Sequence, residues 1–268
     1  MRIRALAAIA AALLAACATP AAAQRTGDRA RLVFTVSGAY IQGRGLWTVE
    51  SQPVQEIITG GGTPVTDNMR LNRSINGTLG AGFSGMYFPG ENLGLTADFL
   101  LLGLGYDDSC QLLGPAQSTR NAQVCHDIDE QDKSAAAVTV SAGGVFRFFS
   151  REFISPYARV NAGLLFSNQS SILTQGVTNS GALLTIFDDE KRTRVSPALA
   201  LGVGATMQIG RSYHLRWEVR DNIVGIEAVT GPTDAPRFVP PHERQYKHLF
   251  SVLVGIDVVL ERARGRRY

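Results

Sequence analysis

Charged and apolar side chains alternate between Tyr213 and Arg220, and the charged ones are the densest set of groups in the chain that could do chemistry. The charged positions are Arg216, Glu218 and Arg220, and the apolar positions between them are Leu215, Trp217 and Val219. A two-residue alternation is typical of a β-strand with one charged and one apolar face. Such a charged face could line a small polar pore or form an ion-paired plug in a closed barrel. We favour the plug, because the chain contains eight strands of this kind, and a barrel of eight strands encloses only enough space for side chains.

Acidic residues and histidines in polar stretches could supply general acid–base groups. They are Asp107-Asp108, His126-Asp127 and Asp188-Asp189. A protease at the rim of a barrel would use such groups, but solvated loop acids are the simpler interpretation. A lipid deacylase would need a serine two residues after a histidine, and none of the 4 histidines meets that condition. We therefore predict no catalytic residue and no enzymatic activity.

A polar stretch lies between Cys110 and Cys125, and we predict that these two cysteines form a disulfide. An exported chain enters an oxidising compartment, where such bonds persist. Closing this loop contributes on the order of 3 kcal/mol in the chain-entropy model. A zinc site is the weaker alternative, because two cysteines and the adjacent His126 do not fill a four-ligand shell. We predict no metal site and no cofactor.

Residues 1–23 have the composition of a signal peptide that exports the chain. Arg2 and Arg4 form a basic start, residues 5–16 are apolar, and residues 21–23 form a small-residue cleavage site. The alternative is a lipoprotein signal, Leu14-Ala15-Ala16-Cys17, in which Cys17 would be lipidated. Beyond this region no segment approaches the 18 apolar residues of a membrane-spanning helix. The net charge of +3 is too small to suggest nucleic-acid binding.

The two-residue alternation recurs along the chain and predicts an all-β, eight-stranded antiparallel up-and-down barrel. We place the strands at about 31–48, 70–88, 92–106, 134–149, 153–169, 192–209, 213–226 and 245–260. The predicted interior charge network is Asp98, Arg147, Arg159, Arg194, Arg216, Glu218, Arg220 and Asp257. The predicted lipid-facing set is Leu215, Trp217, Val219, Val252, Val254, Ile256 and Val258.

Short and long connections alternate between these strands. The short turns are Pro89-Gly90-Glu91, Ser150-Arg151-Glu152 and Gly210-Arg211-Ser212. The long loops span about 49–69, 107–133, 170–191 and 227–244, and a short basic tail covers 261–268. In an up-and-down meander this order puts all short turns at one end and all long loops at the other. Outer-membrane barrels have this asymmetry.

Alternation alone does not decide which face points inward, because a soluble lipocalin-like carrier would turn its apolar face inward. Three features favour the inverted arrangement of a membrane barrel. The polar faces carry many small residues, as a narrow interior requires. Their charges have mixed sign and could pair. Aromatic residues gather near the short turns, where one interfacial girdle belongs; they are Tyr87, Phe88, Phe146, Phe148, Phe149, Phe153, Tyr157 and Tyr213.

The mature chain, 24–268, resembles the small bacterial outer-membrane barrels of the OmpA/OmpX type. The resemblance rests on the export signal, the eight alternating strands, the ordered turns and Ser155-Pro156-Tyr157, which opens a glycine-containing strand. It departs from that type at the C-terminus, where a basic tail follows the last strand. The resemblance implies a location in the outer membrane.

The expected function is a structural, membrane-integrity or surface-interaction role without catalysis. The alternatives are a narrow small-solute channel, a barrel enzyme acting on lipid or peptide at the outer rim, and the soluble lipocalin-like carrier. The expected partners are outer-membrane lipids and lipopolysaccharide, the barrel-assembly machinery during biogenesis, and a possible extracellular partner of the long loops. No nucleic acid is expected.

Overall fold

The computed structural model describes residues 31–56, 64–130, 132–149, 152–189, 195–210, 212–233 and 238–261. In chain order the elements are β1 (Arg31–Ile41), β2 (Arg44–Glu56), β3 (Val65–Ile75), β4 (Thr78–Phe88), β5 (Leu93–Leu112), α1 (Thr119–Glu130), β6 (Asp132–Arg147), β7 (Ile154–Ser167), β8 (Thr174–Val177), β9 (Leu183–Phe187), β10 (Val195–Gln208), β11 (Tyr213–Val229) and β12 (His242–Glu261). The predicted signal peptide, the alternative at Cys17 and the basic tail after Glu261 lie outside the described residues.

Eight of these strands close into an antiparallel ring, which confirms the predicted fold class. The ring runs β1, β4, β5, β6, β7, β10, β11, β12 and back to β1. The closing ladder between β1 and β12 extends from Arg31↔Glu261 to Ile41↔Ser251. Closure leaves no free edge along this ladder, so the strands satisfy one another's backbone hydrogen bonds, as a lipid environment demands.

The ring turns its apolar residues outward and its polar residues inward. On β11, Trp217 and Val219 are exposed, whereas Arg216, Glu218 and Arg220 are buried. On β12, Val252, Val254 and Ile256 are exposed and alternate with buried residues. The two remaining members of the predicted lipid-facing set are Leu215 and Val258. They also lie on the outward sides of their strands, and they are half-buried.

Side chains fill the interior in three layers. A small apolar layer lies near the short turns and consists of Val33, Met86, Phe88, Val145, Tyr157 and Val259. The charged side chains form the middle layer. At the far end lies a large apolar core, in which inward residues of β5 such as Leu100, Leu102 and Leu104 meet Leu46 and Val49 of β2.

The long connections contain more regular structure than the predicted loop boundaries indicate. Residues 49–69 belong mostly to the β2–β3 hairpin, 107–133 contain the end of β5 and helix α1, and 170–191 contain the β8–β9 hairpin. Strands β11 and β12 also run into the fourth predicted loop. The hairpin was missed because two register shifts in the β2–β3 ladder, at Gly45/Trp47 and Val49/Gln52, break the two-residue alternation.

We call these structured connections the head. A disulfide joins Cys110 at the end of β5 to Cys125 in α1, as the sequence predicts. One face of α1 is buried through Asn121, Val124, Cys125 and Ile128. Among the described residues, no helix is long and apolar enough to cross a membrane.

Removing the disulfide should loosen the head and leave the ring intact. The bond closes a 15-residue separation, for which the chain-entropy model gives about 3 kcal/mol. Cys110→Ser/Cys125→Ser should therefore speed tryptic cleavage after the exposed Arg120 in α1. Cleavage kinetics of the double variant against the unreduced wild type measure the effect. Equal rates at Arg120, or loss of the folded barrel on gels, would contradict this assignment.

Candidate functional site

The Glu218 carboxylate is the centre of the charged layer. Its Oε1 accepts hydrogen bonds from Nε of Arg159 and Nε of Arg220, both at 2.8 Å. Its Oε2 accepts one from the Tyr157 hydroxyl at 2.7 Å and lies 3.6 Å from Nη2 of Arg216. Three guanidinium groups from β7 and β11 therefore converge on one carboxylate, which is 2% exposed.

Two further acids balance the remaining positive charge. Asp98 of β5 accepts a 3.0 Å hydrogen bond from Nη1 of Arg159, lies 3.7 Å from Nη1 of Arg220, and is also hydrogen-bonded by the amide of Asn161. On the other side of the lumen, Asp257 lies 3.7 Å from Nη1 of Arg216. Each acid of this layer contacts at least one guanidinium group, which is what keeps buried charges tolerable.

Hydroxyl and aromatic groups complete the network around Arg216. Its Nε donates to the Tyr157 hydroxyl at 2.6 Å and its Nη1 donates to Thr35 at 2.9 Å, while Thr35 donates to Asp257 at 2.7 Å. The guanidinium lies 4.5 Å from the centre of the Tyr157 ring. Nearer the short turns, Arg147 lies 4.2 Å from the centre of the Phe88 ring, a cation–π contact.

Space for this network comes from a glycine on β10, the strand that lies between β11 and β7. A Cβ atom at Gly202 of β10 would lie 2.5 Å from Oε1 of Glu218 and 3.2 Å from Cγ of Arg159. Only glycine leaves room for the carboxylate there. One cavity in this layer, lined by Thr35, Ser37, Ser84 and neighbouring arginines, has room for about one water molecule. The charged layer therefore fills the lumen.

The structure brings seven of the eight predicted network residues together in the lumen, where all seven are buried: Asp98, Arg147, Arg159, Arg216, Glu218, Arg220 and Asp257. Arg194 lies outside the described residues. The sequence pattern assigned Phe88 and Tyr157 to the aromatic girdle, but the structure buries both side chains inside the barrel. Sequence reasoning missed Asn161 and Thr35, which complete the hydrogen bonding together with Tyr157. The two-residue alternation places these residues on the inward sides of β7 and β1, which was an available signal. Which side chains they hydrogen-bond depends on how the strands of the ring are aligned, and the alternation does not show that.

A second buried ion pair holds the head together. Arg73 of β3 contacts Asp108 of β5 through two nitrogen–oxygen pairs, one of them 2.6 Å long, and both residues are almost fully buried. Nη2 of Arg73 also donates to the Leu173 carbonyl at 2.8 Å. The guanidinium lies 5.3 Å from the Trp47 ring and 5.6 Å from the Tyr106 ring. This arginine connects the first, second and third long connections.

Further hydrogen bonds tie the head to the fourth connection. The Trp47 indole N–H donates to the Ser171 carbonyl at 2.9 Å, and the Ser171 hydroxyl donates to the Glu227 carbonyl at 2.7 Å. The Gln52 side chain donates to the Thr233 carbonyl at 2.8 Å and accepts from the Thr233 N–H at 2.9 Å. All four long connections therefore form one folded unit.

Asp67 anchors the start of helix α1. Its carboxylate accepts hydrogen bonds from the backbone N–H groups of Gln117 and Ser118, at 2.8 and 3.0 Å, and from the Asn121 amide at 2.9 Å. Burial alone would raise the pKa of the Asp67 carboxyl. These hydrogen bonds to the charged form outweigh burial, so the pKa lies below its ordinary value of 3.8.

The acids predicted as possible rim catalysts lie in separate places. Asp108 pairs with Arg73, Asp127 accepts the Val177 N–H at 2.7 Å, and Asp189 accepts the Ser170 hydroxyl at 2.7 Å. His126 lies 3.4 Å from Glu130 on the exposed face of α1. Within the described ranges, no group of histidine, cysteine and acidic residues could hold a metal ion.

Comparison with known proteins identifies a family. The model of the outer membrane protein beta-barrel domain family matches residues 9–234. No curated protein matches the chain.

Several solved outer-membrane proteins are similar to the chain at low sequence identity. OprG from Pseudomonas aeruginosa is 7% identical, with 88% of this chain and 98% of that chain covered and a TM-score of 0.49. Neisserial surface protein A is 9% identical, with 86% and 97% covered and a TM-score of 0.40. The attachment invasion locus protein of Yersinia pestis is 12% identical, with 87% and 99% covered and a TM-score of 0.41.

Neutralising Glu218 should destabilise the barrel strongly. Glu218→Gln keeps the size of the side chain but leaves Arg159, Arg216 and Arg220 without their shared counter-charge. Breaking a buried ion pair from one side costs about 3–5 kcal/mol. Urea unfolding in lipid vesicles, followed by tryptophan fluorescence, measures the free energy of unfolding.

The matched control is Glu50→Gln. Glu50 pairs with Arg70 on the exposed face of the β2–β3 hairpin, where an ion pair contributes about 0–1 kcal/mol. If both variants lose the same small amount, Glu218 is not the centre of the lumen network.

Lowering the pH should break the hydrogen bonds that hold the start of α1 before it affects the ring. Because the folded-state pKa of Asp67 is depressed, its stabilising contribution is present above the unfolded-state pKa and is lost as pH falls through the folded-state value. Amide exchange in α1 should therefore rise below about pH 4. Asp67→Asn should give faster exchange at neutral pH and remove this step; an unchanged acid step in the variant would assign it to another group.

Proposed function

The chain belongs to the outer membrane protein beta-barrel family, and we propose that it is a non-conducting, non-catalytic barrel that holds a folded head at the cell surface for surface contact and membrane integrity. Members of this family reside in the bacterial outer membrane, so the outward apolar band contacts lipid and the long connections lie outside the cell. The observation that carries the proposal is the filled lumen.

The filling of the lumen supports a closed barrel. The cavity among the charged side chains has room for about one water molecule, and the apolar core continues above it to the buried side chains of Leu46 and Val49 in the β2–β3 hairpin. A solute crossing the barrel would have to displace paired arginines and then an apolar layer. Both steps are costly, because paired charges and close-packed side chains resist displacement.

The cross-linked structure of the head supports a surface role. A disulfide, the buried Arg73–Asp108 pair and hydrogen bonds among all four connections hold it in one shape. Exposed apolar side chains lie on it at Leu113, Leu183 and Phe238. A rigid surface that presents apolar side chains can bind a partner without first losing conformational entropy.

The placement of the acids supports a non-enzymatic role. A rim enzyme needs a nucleophile or an activated water near a base. The candidate acids are instead engaged with Arg73, the Val177 N–H and Ser170.

Single-channel recording tests the closed lumen. Wild-type protein in a planar bilayer should show no steady conductance above that of the empty bilayer, and protease protection of the barrel should confirm insertion. In cells, replacing the β8–β9 hairpin, 174–187, with a short glycine-serine link should abolish surface attachment while barrel assembly continues. Steady open channels, or attachment that survives the replacement, would contradict the proposal.

A further inference from the structure

The small cavity in the charged layer lies beside Glu218, between the two halves of the ring. Its polar lining includes the hydroxyl groups of Thr35, Ser37 and Ser84 and the guanidinium groups of Arg159, Arg216 and Arg220. Strand β4, which carries Ser84, lies opposite β10 in the ring of eight strands, and Arg159 and Arg220 come from the strands on either side of β10. A molecule in the cavity would therefore touch side chains from both sides of the lumen.

Several hydrogen-bond donors at this cavity are unused. In the described part of the chain, Nη2 of Arg159 and Nη2 of Arg220 donate to no acceptor, although Nε of each residue donates to Glu218 at 2.8 Å. Ser84 is only 7% exposed, and among the described residues its hydroxyl has no hydrogen-bond partner. A guanidinium group has donors and no acceptor, and unmade hydrogen bonds of buried groups are costly. The cavity therefore suits an occupant that accepts hydrogen bonds.

The charges of the layer indicate the sign of that occupant. The layer contains four buried guanidinium groups and three buried carboxylates, those of Arg147, Arg159, Arg216, Arg220, Asp98, Glu218 and Asp257. Within the described ranges the cations thus exceed the acids by one. Buried charges are tolerated when they are paired, so an occupant with a single negative charge would balance the layer.

A halide ion meets both conditions, whereas a water molecule meets only the first. Water carries no charge, and its own two hydrogens need acceptors. The acceptors at the cavity already have donors: both Glu218 oxygens accept hydrogen bonds, and the Thr35 hydroxyl accepts one from Arg216. A monatomic anion needs donors only, and chloride is only slightly larger than water. Polyatomic anions such as phosphate are larger than the cavity.

We propose that the cavity binds a chloride ion, with the free N–H groups of Arg159 and Arg220 and the Ser84 hydroxyl as its donors. Glu218 also lines the cavity, but three guanidinium groups already share its charge. The ion supplies the fourth negative charge of the layer and connects β4 to β7 and β11 across the lumen. It is part of the filling of the barrel, and the site does not depend on what the head binds.

Urea unfolding of the full-length protein in lipid vesicles tests the site. Sodium chloride is replaced stepwise by sodium gluconate at constant ionic strength, because gluconate is too large for the cavity. A ligand that binds only the folded state raises the folding equilibrium constant by a factor of one plus its concentration divided by its dissociation constant. Above that dissociation constant, each tenfold rise in chloride should therefore raise the folding equilibrium constant of the wild type about tenfold. Identical unfolding curves in the two salts would overturn the site.

Substitutions at Ser84 connect the chloride effect to this cavity. Ser84→Ala removes one donor without altering a charge, and it should weaken chloride binding about tenfold, as expected for a lost hydrogen bond to a charged group. Ser84→Asp places a carboxylate where the ion would lie, so its unfolding should not depend on chloride. Heat-dependent gel migration should show that both variants are folded.

The matched control is Thr96→Ala. Thr96 is also a buried residue of the lumen, on β5, and its hydroxyl has no hydrogen-bond partner among the described residues, but it does not line the cavity. This variant should keep the chloride dependence of the wild type. A loss of chloride dependence in the Thr96 variant equal to that of Ser84→Ala, or an unchanged dependence in Ser84→Asp, would contradict the proposal.

Bromide identifies the occupant directly. In crystals of protein that was refolded in sodium bromide, an anomalous scattering peak should lie in contact with the guanidinium groups of Arg159 and Arg220 and with the Ser84 hydroxyl. Density for a water molecule there without an anomalous peak, or bromide peaks only on the outer surface, would refute the chloride site.

Discussion

The contact of the Glu218 carboxylate with three guanidinium groups is the interaction on which the rest of the barrel depends. An ion buried in a protein interior is tolerated only when its charge and its hydrogen-bonding groups are matched. Eight strands allow that match in a small volume, since their interior is only wide enough for side chains. The strand between β7 and β11 must then carry a small residue beside the carboxylate, as it does at Gly202. The same alternation that directs the charges inward puts Trp217 and its apolar neighbours on the lipid side.

The head also contains a buried ion pair whose charges must be matched. Arg73 and Asp108 are buried together, with Trp47 and Tyr106 against the guanidinium. In the lumen the pairing fills a space, whereas in the head it joins separate connections. In the proposed closed barrel, the surfaces left for function are the head and the outer wall. The head lies above the bilayer and the wall is surrounded by lipid, so the two surfaces have different surroundings.

The sequence predicts the ring well and the head poorly, for a physical reason. The period of two is a local property, so it indicates the eight strands, the inward parity of Glu218 and the outward parity of Trp217. The partner of a buried charge is a property of register. Tyr157 lies 61 residues from Glu218, and Arg73 lies 35 residues from Asp108. No local pattern links such residues, and the register shifts in β2 hide the hairpin that carries Trp47.

The β2–β3 hairpin over the barrel mouth and the unpaired upper edge of β12 have one structural origin. A Cβ atom at Gly43 would lie 2.3 Å from the Ile75 carbonyl oxygen, so the chain can pass this close only with glycine there. At this point it leaves the β1–β12 ladder and becomes the β2–β3 hairpin, which buries Leu46 and Trp47 against the core at the mouth. A strand that bends over the mouth can no longer pair with β12. The bend of the chain over the mouth therefore leaves the upper edge of β12 without a partner strand among the described residues.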